Sequence, residues 1–401
     1  MRALDVILGA EALQGPMTGI GNYTAEILRG LRAAPEIGSV RCFANYQWLA
    51  DPLAPPDATA PAPLPSVPPG LPALARRKAI GLARRIARRV PGARELARRQ
   101  RDRLTVEMLN RSGAGLYHEP NFVLRPFDGP TIATIHDLSI YLHPEYHPAE
   151  RVEYMTRHLP DTFRRASRLV TVSEAVRQEV ITRLGIAPER VTAIHNGVGP
   201  DYHPRDAAAL ASALSALGLA PGGYLLAVGT LEPRKNFEGL LDAFETLPAA
   251  LQHRFPLTLA GGHGWRNEAL VTRLDRLSRQ GVVRSLGYVP AGILPSLYAG
   301  ARAFAFPSFY EGFGLPVLEA AASGVPVLSS AGSAMSEVLG AEGVLVDPRD
   351  GSALAEGLRQ VLEDDALQVS ARANAAGFGD RFSWQRCVAR TVALYQEVAG
   401  I

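Results

Sequence analysis

Ser308-Phe309-Tyr310-Glu311-Gly312-Phe313-Gly314-Leu315-Pro316-Val317-Leu318-Glu319-Ala320 follows a short apolar run, Ala303–Pro307, and reads as strand, glycine turn and helix. Glu311 falls in the turn and Glu319 in the helix, with seven residues between them. The turn offers backbone N–H groups and a helix N-terminus, which suit an anionic phosphate. Each carboxylate accepts hydrogen bonds from hydroxyls. A ligand with hydroxyls at both ends and phosphates in the middle, a nucleotide-sugar, fits that order of groups. The competing reading is an acid/nucleophile pair, as in glycosidases. It needs two carboxyls about 5–10 Å apart with a sugar between them. Eight helical residues span about 12 Å and their side chains diverge, so separate roles at opposite ends of one ligand fit better.

Outward from this stretch the same alternation repeats. Tyr224–Val228, Leu257–Ala260, Val282–Val289, Ala303–Pro307, Val325–Ser329 and Gly343–Val346 read as strands with helices between them, the first helix being Phe237–Leu247. An earlier series starts with residues 3–9, a glycine-containing loop from Glu11 to Gly21 and a helix Asn22–Leu31. It continues through strand-like Val40–Tyr46, Leu116–His118, Thr131–Ile135, Leu169–Val172 and Val191–Ile194. Ser173 reads as a helix cap and His195-Asn196-Gly197 as a turn. Short apolar strands alternating with helices imply parallel sheets covered on both faces. The expected fold is α/β, with two Rossmann-like domains facing across a cleft. Residues 1–200 form the first and 201–380 the second, after a polar, Ala-rich connection to about Gly222. A closing helix in 381–401 crosses back to the first domain.

The chain has 401 residues, too many for one ordinary core, and its 47% hydrophobic and 20% charged content suits a soluble enzyme. Net charge is only +3, so no nucleic-acid partner is expected. The basic character is local. Residues 76–103 hold 12 Lys/Arg against 2 Asp/Glu, directly after a segment, 51–72, with nine prolines. Within 73–103, Leu74, Leu82, Ile86 and Val90 share one helical face opposite Arg77, Arg84, Arg85, Arg88 and Arg89. Such a segment suits an anionic membrane surface, against the plainer reading of a solvated helix face. The two cysteines, Cys42 and Cys387, read as buried free thiols of a reducing compartment. No apolar run reaches membrane-span length and no signal-peptide pattern is present, so a cytoplasmic protein is expected.

Further constellations stand at strand ends, where ligands bind in open parallel sheets. Arg234-Lys235 offers a planar fork and a point charge to a phosphate. Gly19-Ile20-Gly21 follows the first strand as a GxG loop does in NAD-binding proteins. The second strand closes with Asn45-Tyr46-Gln47, without the acidic residue that would hold a ribose, so approach to the donor phosphates is the better reading. His136-Asp137 ends a strand and points to the cleft; His118 and Glu119 end another, on the acceptor side.

These residues carry a resemblance to retaining glycosyltransferases of family 4 with the GT-B fold. It rests on Thr18-Gly19-Ile20-Gly21-Asn22-Tyr23, Ile135-His136-Asp137-Leu138, Val172-Ser173-Glu174, His195-Asn196-Gly197-Val198, Gly229-Thr230-Leu231-Glu232-Pro233-Arg234-Lys235-Asn236 and the Glu-x7-Glu segment. The resemblance implies that Glu319 holds the nucleotide ribose and Glu311 the donor sugar. The backbone from Gly312 through Phe313 and Gly314 to Leu315 lies along the diphosphate. Arg234 and Lys235 neutralise it, Gly19 to Gly21 close over it, His136 stands near the donor sugar, and Val289 lies beside the base. No metal and no other cofactor is implied. The implied reaction moves a hexose, with retention, from GDP-mannose or GDP-rhamnose to a lipid-linked acceptor in O-antigen or lipopolysaccharide assembly. The basic stretch at 73–103 departs from a minimal enzyme of this type, and its amphipathic pattern is expected to hold the enzyme peripherally on the inner face of the cytoplasmic membrane. The alternatives are a UDP-sugar donor, an NAD-dependent oxidoreductase, or a non-catalytic membrane-surface adaptor.

Overall fold

The computed structural model describes residues 3–15, 17–54, 93–262 and 268–401. The first sheet is built from β1 (Leu4–Gly9), β2 (Ile37–Ala44), β3 (Gln47–Leu49), β4 (Leu116–Glu119), β5 (Thr131–Ile135), β6 (Arg168–Thr171) and β7 (Val191–Ala193). Its seven strands run in the order β3-β2-β1-β4-β5-β6-β7. All neighbours are parallel except β2 and β3. The second sheet holds β8 (Leu225–Val228), β9 (Leu257–Ala260), β10 (Val283–Ser285), β11 (Ala303–Phe306), β12 (Val327–Ser330) and β13 (Val344–Val346). Its six strands run β10-β9-β8-β11-β12-β13 and all are parallel.

The near-continuous apolar runs explain this architecture. In β4, β5, β9, β11 and β12 every residue is buried, as strands covered by helices on both faces require. Strand order reverses between β1 and β4 and again between β8 and β11. Loops leaving the carboxyl ends of those strands therefore diverge and open a crevice in each half. The segments after β1, β4, β5, β8 and β11 stand at those two crevices.

The helix Trp384–Ala399 packs on the helix Gly19–Ala33 of the first half. Cys387, Val392, Leu394 and Tyr395 join Tyr23, Ile27, Leu28 and Leu31 in one core cluster. The chain crosses over where Val198 bridges Ser383, with the Val198 N–H donating to the Phe382 carbonyl at 2.9 Å. Both cysteines are buried and free.

Several local expectations are corrected. The first helix starts at Gly19 rather than Asn22, so Gly19 and Gly21 form its first turn instead of a loop. Thr18 is the reason: its Oγ1 accepts from the Gly21 N–H at 3.2 Å and caps the helix. The second strand ends at Ala44, and β3 follows through a tight turn at Asn45 and Tyr46, whose φ values are 47° and 64°. The strand expected over Val282–Val289 is confined to Val283–Ser285, because Gly287 turns the chain and its carbonyl is taken by the Gly261 N–H at 2.7 Å. The helix expected to reach Leu247 ends at Glu245. Residues 55–92, which hold most of the proline-rich segment 51–72 and most of the basic segment 73–103, lie outside the described residues; Ala93–Asn110 is a helix. Among the described residues no helix is long and apolar enough to cross a membrane.

Candidate active site

After β11 the chain turns through Ser308–Gly314 into the helix Leu315–Ala322. Gly314 is the N-cap with φ 93°, a left-handed conformation that favours glycine, and a Cβ there would meet Met335 at 2.8 Å. Gly312, Phe313 and Gly314 are buried. Among the described residues, nothing accepts a hydrogen bond from their three backbone N–H groups. Buried N–H groups are nearly always paired, and three in succession at a helix start are able to receive an anion. The Phe313 ring packs in the core of the second half, which leaves only its backbone to face the cleft.

Beside this loop four charges compensate one another. The short helical turn Pro233–Lys235 after β8 delivers Arg234 and Lys235. Lys235 Nζ lies 2.6 Å from Glu311 Oε1 and Arg234 Nη1 2.8 Å from Glu311 Oε2. Arg234 also donates to Glu232 Oε1 at 2.7 Å and to the Tyr310 carbonyl at 2.7 Å. Burial pushes the Glu311 carboxyl up, but Arg234 and then Lys235 outweigh it and hold it at about 2. At neutral pH Glu311 is therefore an anion rather than a proton donor. Burial draws Lys235 below the ordinary lysine range, with Glu311 pulling the other way. Desolvation opposes the charge on Arg234, yet Glu311 and Glu232 carry it above its ordinary value.

Glu319 stands apart from this cluster, on the helix. Burial raises its carboxyl to about 7, against the hydroxyls of Tyr298 and Tyr202, which bear on it and act to lower it. Val289 is buried in the core of the second half, so its side chain faces that core. The turn at Gly287 bends the following Tyr288 outward, to 66% exposure.

The first half closes against this loop. His136 follows β5; its Nε2–H donates to the Pro120 carbonyl at 2.7 Å, and burial lowers its pKa, leaving a neutral ring with Nδ1 unprotonated. Tyr23 and Phe122 meet that ring edge-on, with centroids at 5.0 and 5.5 Å. A Cβ on Gly312 would come within 1.7 Å of the His136 carbonyl oxygen, so only glycine lets the two walls approach. Across the same boundary Tyr310 Oη accepts from the Leu138 N–H at 3.1 Å and donates to Glu179 at 2.5 Å. Gly19 faces Leu315, with 3.9 Å between an added Cβ and its side chain.

His118 and Glu119 turn inward instead. His118 Nδ1 and Nε2 reach Tyr395 at 2.5 Å and Thr134 at 2.8 Å. Glu119 takes the Tyr117 hydroxyl at 2.7 Å, and burial raises it to about 7. Sequence reasoning assigned no role to Glu232, Tyr310 or Glu337. Glu232 carried a signal, two residues before Arg234 in one strand-end loop; the side chains of the other two act across the domain boundary. Among the described residues no group of three or more His, Cys, Asp or Glu side chains could hold a metal ion.

Two family models match the chain: "Glycosyl transferases group 1" over residues 220–378 and "Glycosyltransferase Family 4" over residues 17–202. The chain is 36% identical over 398 residues to an O-antigen chain mannosyltransferase B of Escherichia coli, spanning 98% of this chain and 100% of that protein. It is 33% identical over 262 residues to a serotype-specific mannosyltransferase, WbdA, of Escherichia coli, spanning 63% of this chain and 32% of that one. Among solved structures, Anabaena Alr3699/HepE in complex with UDP and glucose aligns with a TM-score of 0.68 at 17% identity, over 98% of this chain and 100% of that one. WaaG, a glycosyltransferase involved in lipopolysaccharide biosynthesis, aligns with a TM-score of 0.68 at 16% identity, over 98% and 99%.

Proposed function

This chain belongs to the family 4, group 1 glycosyltransferases, and we propose that within them it is a mannosyltransferase that extends an O-antigen-type polysaccharide from a GDP-hexose donor. The observation that carries the site assignment is the run of three buried, unpartnered N–H groups at Gly312, Phe313 and Gly314, beside Arg234, Lys235 and Glu311. An oxidoreductase reading lacks support, since β2 ends at Ala44 and continues into Asn45-Tyr46-Gln47 without the acidic residue that would hold a dinucleotide ribose, and both matching family models are glycosyltransferases.

On this reading the diphosphate lies along the 312–314 backbone, Glu311 accepts from hydroxyls of the hexose, and Glu319 accepts from the ribose. His136 faces the sugar from the other wall. The bond from the anomeric carbon to the diphosphate oxygen breaks, and the acceptor hydroxyl oxygen bonds the same face of that carbon. Its proton passes to an oxygen of the leaving nucleoside diphosphate. Negative charge grows on that leaving group, where Arg234, Lys235 and the backbone donors act. Closure of the two halves around the donor excludes water and limits its hydrolysis. The acceptor is lipid-linked, and the basic segment at 73–103 holds the enzyme on the anionic inner surface of the membrane.

The test is calorimetric titration of the purified protein with GDP, UDP and NAD, followed by transfer assays with GDP-mannose, GDP-rhamnose and UDP-hexoses on a mannose-terminated lipid acceptor. GDP binding and GDP release from GDP-mannose are expected. UDP binding with no GDP binding overturns the donor assignment, and no binding of any nucleoside diphosphate overturns the site.

A further inference from the structure

The helix Glu174–Leu184 in the first half begins under a carboxylate from the second. Glu337, on the short helix Ala334–Leu339, accepts from the Glu174 N–H at 2.9 Å and from the Ala175 N–H at 3.0 Å. Its Oε1 also takes the His195 Nε2–H, from the loop after β7. The third N–H of the helix, that of Val176, goes to its own cap, Ser173 Oγ, at 3.2 Å. That same hydroxyl donates to the Gly312 carbonyl at 2.7 Å. One carboxylate of the second half thus seats a helix start of the first, and the cap of that helix reaches back to the donor loop.

The consequence lies in the peptide plane. A trans peptide places its C=O and N–H on opposite sides. With the Gly312 oxygen held by Ser173, the Phe313 N–H points away from the first half. That N–H is the middle one of the three unpartnered donors. Two orphan N–H groups at a helix N-terminus also favour a negative partner. Glu337 fits that demand, since burial pushes its carboxyl up while His195 and the two N–H groups outweigh this and hold it below the usual range.

We propose that Glu337 is a positioning residue for transfer: through the start of the helix Glu174–Leu184 and the Ser173 hydroxyl, it fixes the Gly312–Phe313 peptide and locks the closed arrangement of the two halves. The proposal rests on the assignment of that peptide to the donor diphosphate. It joins Glu337, Ser173 and His195 to the reaction, although none of them lies on the loop assigned to the donor.

Glu337→Gln, Ser173→Ala and the double variant test it, in full-length protein with GDP-mannose and a mannose-terminated lipid acceptor. Glu337→Gln keeps the size but loses the charge that holds three N–H groups. The expected result is a fall in kcat of at least about tenfold, because a misplacement of about 1 Å costs up to about 10²-fold. The donor KM stays nearly constant, and the share of donor lost to water rises. Ser173→Ala lowers kcat in the same way, and the double variant is no worse than the weaker single one, as expected for residues acting in one chain of contacts. Unchanged kcat in a folded Glu337→Gln protein overturns the proposal, as does a multiplicative loss in the double variant. If Glu337→Gln does not fold, Ser173→Ala decides alone: unchanged kcat and unchanged partition to water overturn it. Failure of the wild-type protein to bind any nucleoside diphosphate is a different outcome, and it removes the underlying site assignment as well.

Discussion

Replacing Glu311 by Gln separates two consequences of one buried cluster. Glu311 is held at about 2 against an ordinary 4.5. At about 1.4 kcal/mol per unit, the carboxylate is stabilised by about 3 kcal/mol in the folded protein. Lys235 is drawn down by its own burial, so this figure is a ceiling for the net worth of the cluster. Removal of one partner from a buried pair costs about 3–5 kcal/mol, which agrees in size. A loss of about 3 kcal/mol lowers the melting temperature of a domain of this size by about 6–12 °C. The folded value is depressed, so the stabilisation is complete above the ordinary value of 4.5 and fades as pH falls through about 2. Wild type and variant should therefore differ most at neutral pH and converge over that acid window. Meanwhile Arg234 and Lys235 lose an internal anion and become more available to phosphate. GDP should bind the variant more tightly and restore part of the lost stability, while transfer falls by about 10²–10³-fold, the size expected on removing one preorganised electrostatic partner. Calorimetric melting across pH, GDP titration and GDP release from GDP-mannose read all three. Equal melting temperatures at neutral pH, or weaker GDP binding by the variant, would refute the reasoning.

Binding of a GDP-hexose should weaken by about tenfold per pH unit below the Glu319 value of about 7, because the protonated carboxyl no longer accepts from two ribose hydroxyls. Glu319→Gln should bind weakly at all pH values and flatten that profile in calorimetry; a pH dependence that survives the substitution assigns it to another group. Gly312→Ala places a methyl 1.7 Å from the His136 carbonyl oxygen, so transfer should fall by more than about 10²-fold while circular dichroism and GDP binding persist. Full transfer by this variant shows that the two walls do not meet in the reaction. Replacing Arg84, Arg85, Arg88 and Arg89 by Ser should release the protein from anionic liposomes in flotation assays and spare transfer to a soluble acceptor analogue; retained flotation rejects membrane docking through that segment.

The sheets were legible because their strands are almost unbroken apolar runs of four or five residues, as at Leu257–Ala260 and Thr131–Ile135. The turn from β11 into the helix Leu315–Ala322 was legible because glycine, charge and helix start fall within one short window. Other features left weaker traces. Gly19 and Gly21 disguise the first turn of a helix, and the cap that decides it is a single threonine. The hairpin after β2 turns on Asn45 and Tyr46 in left-handed conformations, without the glycine that usually announces such a turn. Contacts across the cleft leave no local signal at all. Tyr310 and Glu179 are 131 positions apart, and Glu337 is 163 from the N–H it caps at Glu174. Only the facing of two folded halves brings them together.

The cations of the site, by contrast, are paired within the second half alone, by Glu311 and Glu232. Unpaired, Arg234 and Lys235 would be costly to bury and would hold a released diphosphate as firmly as a bound donor. Shared with Glu311 and Glu232, they are oriented in advance and carry little net charge together. A donor diphosphate is already anionic, but its bridging oxygen gains charge only as the anomeric bond breaks. In the proposed reaction the cations then shift weight from Glu311 toward that oxygen, and the interaction is stronger at the transition state than before it, which is the condition for raising kcat. On that proposed reading Glu311 loses cationic partners at the moment when positive charge develops on the sugar whose hydroxyls it would hold. The carboxylate and the two cations thus exchange partners along one reaction coordinate, and a neutral glutamine at 311 can take no part in that exchange even if it preserves every contact of the ground state.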